Sequence, residues 1–89
     1  MTDDGCTDGT AQAVRDTFPG KDICILQGTG YLYWAGGMRL AWREAQKKQD
    51  LWDFYLLLND DTTPKENMFD ELIRAHVYSV STFGKTGVY

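Results

Sequence analysis

Residues 52–58, Trp-Asp-Phe-Tyr-Leu-Leu-Leu, form the most water-averse stretch of the chain, and it stops at the acidic pair Asp60 and Asp61. Aromatic and branched residues in so short a run read as a strand, and the unbroken apolar end calls for burial on both faces, as in a parallel sheet. Parallel strands need long crossovers, so helical segments are expected on either side.

The flanking sequence supplies them. The opening Asp-Asp-Gly-Cys-Thr-Asp-Gly-Thr is a loop of turn-forming and helix-capping residues. Ala11, Val14 and Phe18 then recur at helical spacing until Pro19-Gly20. Residues 23–26, Ile-Cys-Ile-Leu, read as a buried strand, and Gln-Gly-Thr-Gly as a turn. The next segment begins aromatic and becomes helical from about Gly37, with Met38, Trp42 and Ala45 on one face and Glu44 and Lys48 paired one turn apart. Thr63, Pro64 and Glu66 have the spacing of a capping box, which predicts a helix from there with Met68, Phe69, Leu72 and Ile73 facing inward. Residues 76–83 alternate like a strand. The expected order is therefore loop, helix, strand, helix, strand, helix, strand: a single α/β domain with helices on a mostly parallel sheet. Only Met1 and Thr2 precede the acidic loop, too few for the strand that normally leads into one, so a first strand is expected to be missing.

At 89 residues the chain is expected to bury only about 60–65% of its unfolded surface, which makes for a marginal core. A hydrophobic content of 43% speaks against disorder. The net charge of −4, with Lys47-Lys48 the only basic cluster, excludes a general nucleic-acid binder. Cys6 and Cys24 make neither a disulfide framework nor a zinc site, the start has no apolar leader, and no run is long enough to span a bilayer; a cytoplasmic protein is expected.

Acids at the end of a strand sit where open α/β sheets bind ligands. Spacing discriminates among the chemistries that use them. A calcium loop starting at Asn59 needs glycine where Pro64 stands and glutamate where Asp70 stands. A D-x-D-x-T phosphatase would place an amide, Asn59, at the nucleophile. The Gly84-Lys85-Thr86 run lacks the first glycine of a phosphate loop, since Ser79 holds that place, and it lies on the wrong side of the acids. Residues 28–33 begin like a dinucleotide fingerprint, but Tyr33 replaces the glycine at which helix and strand must meet. A divalent cation shared with a diphosphate survives this comparison: carboxylate oxygens suit Mg²⁺ or Mn²⁺, which keep positions open for phosphate and water. Two carboxylates about 4 Å apart repel by roughly 1–4 kcal/mol without such a partner. The alternative is a solvated turn ahead of a helix.

Three stretches, "DDGCTDGTAQAVRDTFPG", "YLYWAGGMRLAWREA" and "YLLLNDDTTPKENMFDEL", in that order and separation, resemble the nucleotide-sugar-binding half of glycosyltransferase family 2, inverting enzymes of the Rossmann-like GT-A fold, with a rhamnosyltransferase-like branch nearest. The resemblance implies that Asp4 contacts the base of the donor nucleotide, that Asp60 lies beside its ribose, and that Asp61 is the direct ligand of a divalent cation, Mg²⁺ or Mn²⁺. Gly36 and Gly37 would allow close backbone approach at a helix start whose free N–H groups suit phosphate. Tyr31, Tyr33 and Trp34 either stack on base or sugar or, as aromatics near a core usually do, fill it. Cys6 stands where the family commonly has serine, and Tyr31 where it often has asparagine. The family's first strand and its catalytic base, which activates the glycan or lipid-linked acceptor, have no counterpart among these residues, so the 89-residue chain is expected to transfer no sugar by itself and to self-associate through open sheet edges. A non-catalytic nucleotide- or metal-binding module, or a structural remnant without activity, is the rival reading.

Overall fold

A computed structural model describes all the residues, Met1–Tyr89, and they divide into two compact units, Met1–Leu57 and Leu58–Tyr89. The fold is mixed α/β, with three helices, one 3₁₀ turn and a two-stranded parallel sheet.

The first unit is built on one βαβ crossover. Strand β1 (Thr2–Asp3) pairs in parallel with β2 (Leu26–Gln27), Thr2 opposite Leu26 and Asp3 opposite Gln27. Two sequence expectations change here. Thr2 does enter a strand despite the short lead-in, and the strand expected at residues 23–26 is shifted so that only Leu26 of that run joins the ladder. The Met1 ammonium donates to the Cys24 carbonyl, and Leu26 N–H to the Met1 carbonyl, which extends the pairing by one step. The crossover carries helix α1 (Thr10–Thr17), where apolar spacing placed it. Gly9 precedes it at φ 80, a left-handed conformation that costs glycine nothing.

Helix α2 (Tyr33–Gln46) follows β2 and packs over β1, the Thr2 hydroxyl donating to the Gly37 carbonyl at 2.8 Å. It starts four residues before the expected Gly37, because its first turn is capped from outside rather than by its own sequence. Glu44 pairs with Lys47, not with Lys48. A 3₁₀ turn, Gln49–Leu51, leads into residues 52–58, where the strongest expected strand takes no ladder partner. Trp52 and Tyr55 are held by α2 instead: Trp52 Nε1–H donates to the Ala45 carbonyl at 3.0 Å, and the Tyr55 ring stacks on Trp42 at 5.4 Å.

The second unit consists of helix α3 (Met68–Phe83) and the segments beside it. Both sequence assignments here are revised. The Thr63 capping box is not used: the helix begins after Asn67, with Asp70 and Glu71 in its first turn, where negative charge complements the helix dipole. Residues 76–83 continue this helix rather than forming a strand. Gly84, at φ 65, closes it by donating its N–H to the Val80 carbonyl. The last residues fold back on the helix, with Ser79 Oγ donating to the Lys85 carbonyl at 2.7 Å and the Tyr89 ring meeting His76 edge-on.

No hydrophobic side chain is fully withdrawn from water; the one buried residue is Asp3. No helix is long and apolar enough to cross a membrane.

Candidate functional site

The carboxyl ends of the two parallel strands deliver Asp3 at the end of β1, Asp4 just beyond it and Gly28 just beyond β2, beside the start of α2. Each acid has a distinct task. Asp3 Oδ1 accepts the Cys6 N–H at 2.8 Å and folds the Asp-Asp-Gly-Cys loop back on itself. This N–H, then the Cys6 thiol, then the Gly5 N–H and the charge of Arg15 hold the Asp3 carboxyl below its usual 3.8, against the opposing effect of desolvation.

Asp4 reaches across the crevice. Its Oδ1 accepts the Gly30 N–H at 2.7 Å, and its Oδ2 accepts the N–H groups of Leu32 at 2.8 Å and Tyr33 at 3.2 Å. One carboxylate thus caps the first turn of α2 and fixes the Gly-Thr-Gly loop that leads into it, with the charge placed where the helix dipole favours it. Two glycines make this possible. A Cβ on Gly28 would stand 2.4 Å from Asp4 Oδ1 and 2.8 Å from Leu32 Cδ1, so only hydrogen fits there. Gly5, at φ 87, lies against Gly30, at φ 91, with 3.4 Å from an added Cβ to the Gly30 Cα. Tyr33 is held at φ 53, a left-handed conformation that strains an aromatic residue by about 1–3 kcal/mol.

Around this clasp the aromatics point outward. Tyr31 is 78% exposed, Tyr33 79% and Trp34 63%, so the expectation that such rings fill a core is corrected.

Gly36 and Gly37 lie inside α2, within its second turn, rather than opening it. The Gly36 N–H closes on the Leu32 carbonyl at 3.0 Å, and the Leu32 and Tyr33 N–H groups are taken by Asp4; the free-amide helix start expected at the two glycines is thereby revised. Gly36 packs against Leu32 and Gly37 against Thr2.

Asp60 and Asp61 belong to the second unit, in the turn closed by the Thr62 N–H and the Asn59 carbonyl. Both are exposed, and neither carboxylate enters a hydrogen bond or ion pair with the protein, which leaves their oxygens available to a cation. No three His, Cys, Asp or Glu side chains come together as a ready-made metal cage. Two adjacent carboxylates nevertheless fit the donor chemistry of Mg²⁺ or Mn²⁺, which take one or two carboxylates and complete their shell with phosphate and water.

Gly28 and Gly30 are the residues that sequence reasoning passed over when residues 28–33 failed as a dinucleotide fingerprint. Their signal was available: two glycines immediately after a strand mark a place of close backbone approach. Searches of protein-family models, of curated proteins and of solved structures gave no match to this chain.

Proposed function

We propose that the chain is the donor-binding part of an inverting, metal-dependent glycosyltransferase of the GT-A type, taking a nucleotide-diphosphate sugar. The observation that carries this reading is the convergence of two of the three resembling stretches: the Asp-rich loop and the aromatic-glycine helix start are tied together by Asp4 at the carboxyl ends of parallel strands. Ligands bind open α/β sheets at that end. The exposed rings of Tyr31, Tyr33 and Trp34 supply faces on which a base or sugar can stack. In this reading Asp4 fixes the base-binding loop, with Asp60 beside the ribose. Gly36 and Gly37 keep the early turns of α2 free of bulk near the phosphates.

Asp61, with Asp60, would hold the Mg²⁺ or Mn²⁺. The cation supplies charge stabilisation for the departing diphosphate, an interaction strongest as the glycosidic bond breaks. The chain's own residues position the donor; the base that deprotonates the acceptor hydroxyl is not assigned to any of them.

A second reading has its own support. Asp4 already accepts three backbone N–H groups, which suits a purely structural clasp in a module that binds nucleotide or metal without catalysis, or in a remnant that binds neither. Calorimetric titration of the whole chain with Mn²⁺ and UDP, GDP and dTDP in turn decides between them. The donor-site reading expects Mn²⁺-dependent uptake of at least one diphosphate, lost in Asp61→Ala. Absence of uptake, or equal uptake by Asp61→Ala, sinks it.

A further inference from the structure

A cleft of about 260 Å³ opens where the end of α1 and the turn after it meet the residues that lead into β2. Val14 and Phe18 contribute from the helix and its cap, Ile23 and Ile25 from the approach to the strand, and Arg15 and Lys21 carry the only charges in its wall. Val14 and Ile25 are half-buried; the other four are exposed. The cleft lies at the amino end of β2, whereas Asp4, Gly28 and the acidic loop gather at the carboxyl ends of the strands. It is therefore separate from the candidate donor site.

The two cations in the wall are uncommitted. Neither the Arg15 guanidinium nor the Lys21 ammonium enters a hydrogen bond or ion pair with the protein. The last carbonyls of the helix do not call on them. The Ala13 carbonyl accepts the Thr17 hydroxyl at 2.7 Å, the Val14 carbonyl the Phe18 N–H at 3.1 Å, and the Phe18 carbonyl the Lys21 N–H at 3.3 Å. Arg15, in the last turn of α1, complements the helix dipole, but Lys21 lies beyond the helix and has no such task. Asp16 Oδ1 accepts the Gln12 amide at 2.9 Å, and neither it nor Asp22 lines the cleft. Asp3 answers chiefly to the Cys6 N–H and least to the charge of Arg15. In a chain of net charge −4, the cleft is thus a local reversal of sign set over an apolar wall.

We infer that this cleft binds a small organic carboxylate, its anionic head between Arg15 and Lys21 and its apolar body against Phe18, Ile23 and Ile25. An inorganic anion would meet the cations and leave the apolar wall wet. A neutral apolar molecule would cover the wall and leave the cations unanswered. A carboxylate on a short hydrocarbon body does both: the planar guanidinium fork matches its two oxygens, and the ammonium adds a point charge. Pockets for drug-sized ligands start at about 300 Å³, so the occupant here is smaller, with a body of a few carbons. The inference does not depend on the donor-site reading, because none of these residues belongs to that site.

Titration of the whole chain with hexanoate at low salt, followed in amide proton–nitrogen correlation spectra, should give saturable shifts confined to residues 14–25, with a Kd of about 1–10 mM. Hexanamide keeps the body without the charge; acetate and inorganic phosphate keep the charge without the body. Each should bind at least about fivefold more weakly than hexanoate. Lys21→Gln should weaken hexanoate about threefold, and Arg15→Gln combined with it about tenfold, whereas Lys48→Gln, outside the cleft, should leave the affinity unchanged. Lys21 stands in the turn, so its replacement tests the cleft even where loss of Arg15 frays α1. Absence of saturable shifts, equal binding of hexanoate and hexanamide, equal binding of hexanoate and acetate, or unchanged affinity in Lys21→Gln overturns the proposal.

Discussion

Replacing Gly28 with alanine tests whether the Asp4 clasp holds the first unit together. The added Cβ would lie 2.4 Å from Asp4 Oδ1, 2.8 Å from Leu32 Cδ1 and 3.1 Å from the Asp4 Cα. The Leu32 methyl can swing aside, but the Asp4 backbone cannot without opening the pairing of β1 with β2. The carboxylate must therefore leave, and with it the bonds to Gly30, Leu32 and Tyr33. Losing a helix cap costs about 0.5–2 kcal/mol, and forced overpacking about 1–3 kcal/mol. Because the displaced amides are near water, a net loss of about 1–3 kcal/mol is expected, and a chain this small drops in Tm by about 4–8 °C for each of those. Gly37 is the internal control. Its Cβ would meet Thr2 at 3.8 Å, an ordinary contact, so Gly37→Ala should gain about 0.5–1 kcal/mol from helix propensity alone. Thermal unfolding followed at the helical circular-dichroism band reads both. The same Gly28→Ala change made in Asp4→Ala should cost much less than in the parent, since the group it displaces is gone. Equal stability of Gly28→Ala and the parent, or full additivity of the two changes, refutes the clasp.

Other perturbations probe the same elements. Asp4→Ala should fray the start of α2 and lower stability by about 0.5–2 kcal/mol, with Asp4→Asn retaining part of the cap; amide exchange at Leu32 and Tyr33 is the direct readout. Asp3 and Asp8 both titrate below their usual 3.8 in the folded chain, Asp3 chiefly through the Cys6 N–H and Asp8 chiefly through the Thr10 hydroxyl. Lowered carboxyl values stabilise the fold fully above that pH and lose the contribution as pH falls through the folded-state values, so the acidic loop should loosen below about pH 4, and Asp3→Asn should flatten that acid limb. Asp61→Ala should abolish Mn²⁺-dependent diphosphate uptake without changing helical content.

Legibility followed the range of the interactions. Helix α1 was readable because Ala11, Val14 and Phe18 and the Pro19-Gly20 stop lie within about three turns of one another. The Thr63 box misled because a cap is worth only a kcal/mol or so, and the start after Asn67, with Asp70 and Glu71 in the first turn, competes on equal terms. Residues 76–83 looked like a strand, yet Leu72, His76, Val80 and Phe83 prolong a helical stripe begun at Phe69, and a helix extends on local hydrogen bonds without searching for a partner. At the site, the acidic loop and the aromatic-glycine segment were visible as separate stretches. Their meeting was not, because the bonds from Asp4 to Leu32 and Tyr33 span nearly thirty positions and depend on Gly28 leaving room.

By itself, the amino-acid order determined the apolar stripe of α1, where acids and glycines gather, and which run is most apolar. Tertiary structure alone decided that Asp4 caps α2, that Tyr31 and Tyr33 face water, and that residues 54–58 remain without a ladder. A helix satisfies its backbone within its own few turns; a strand or a cap across a crevice exists only when a distant piece of chain arrives to share the hydrogen bond.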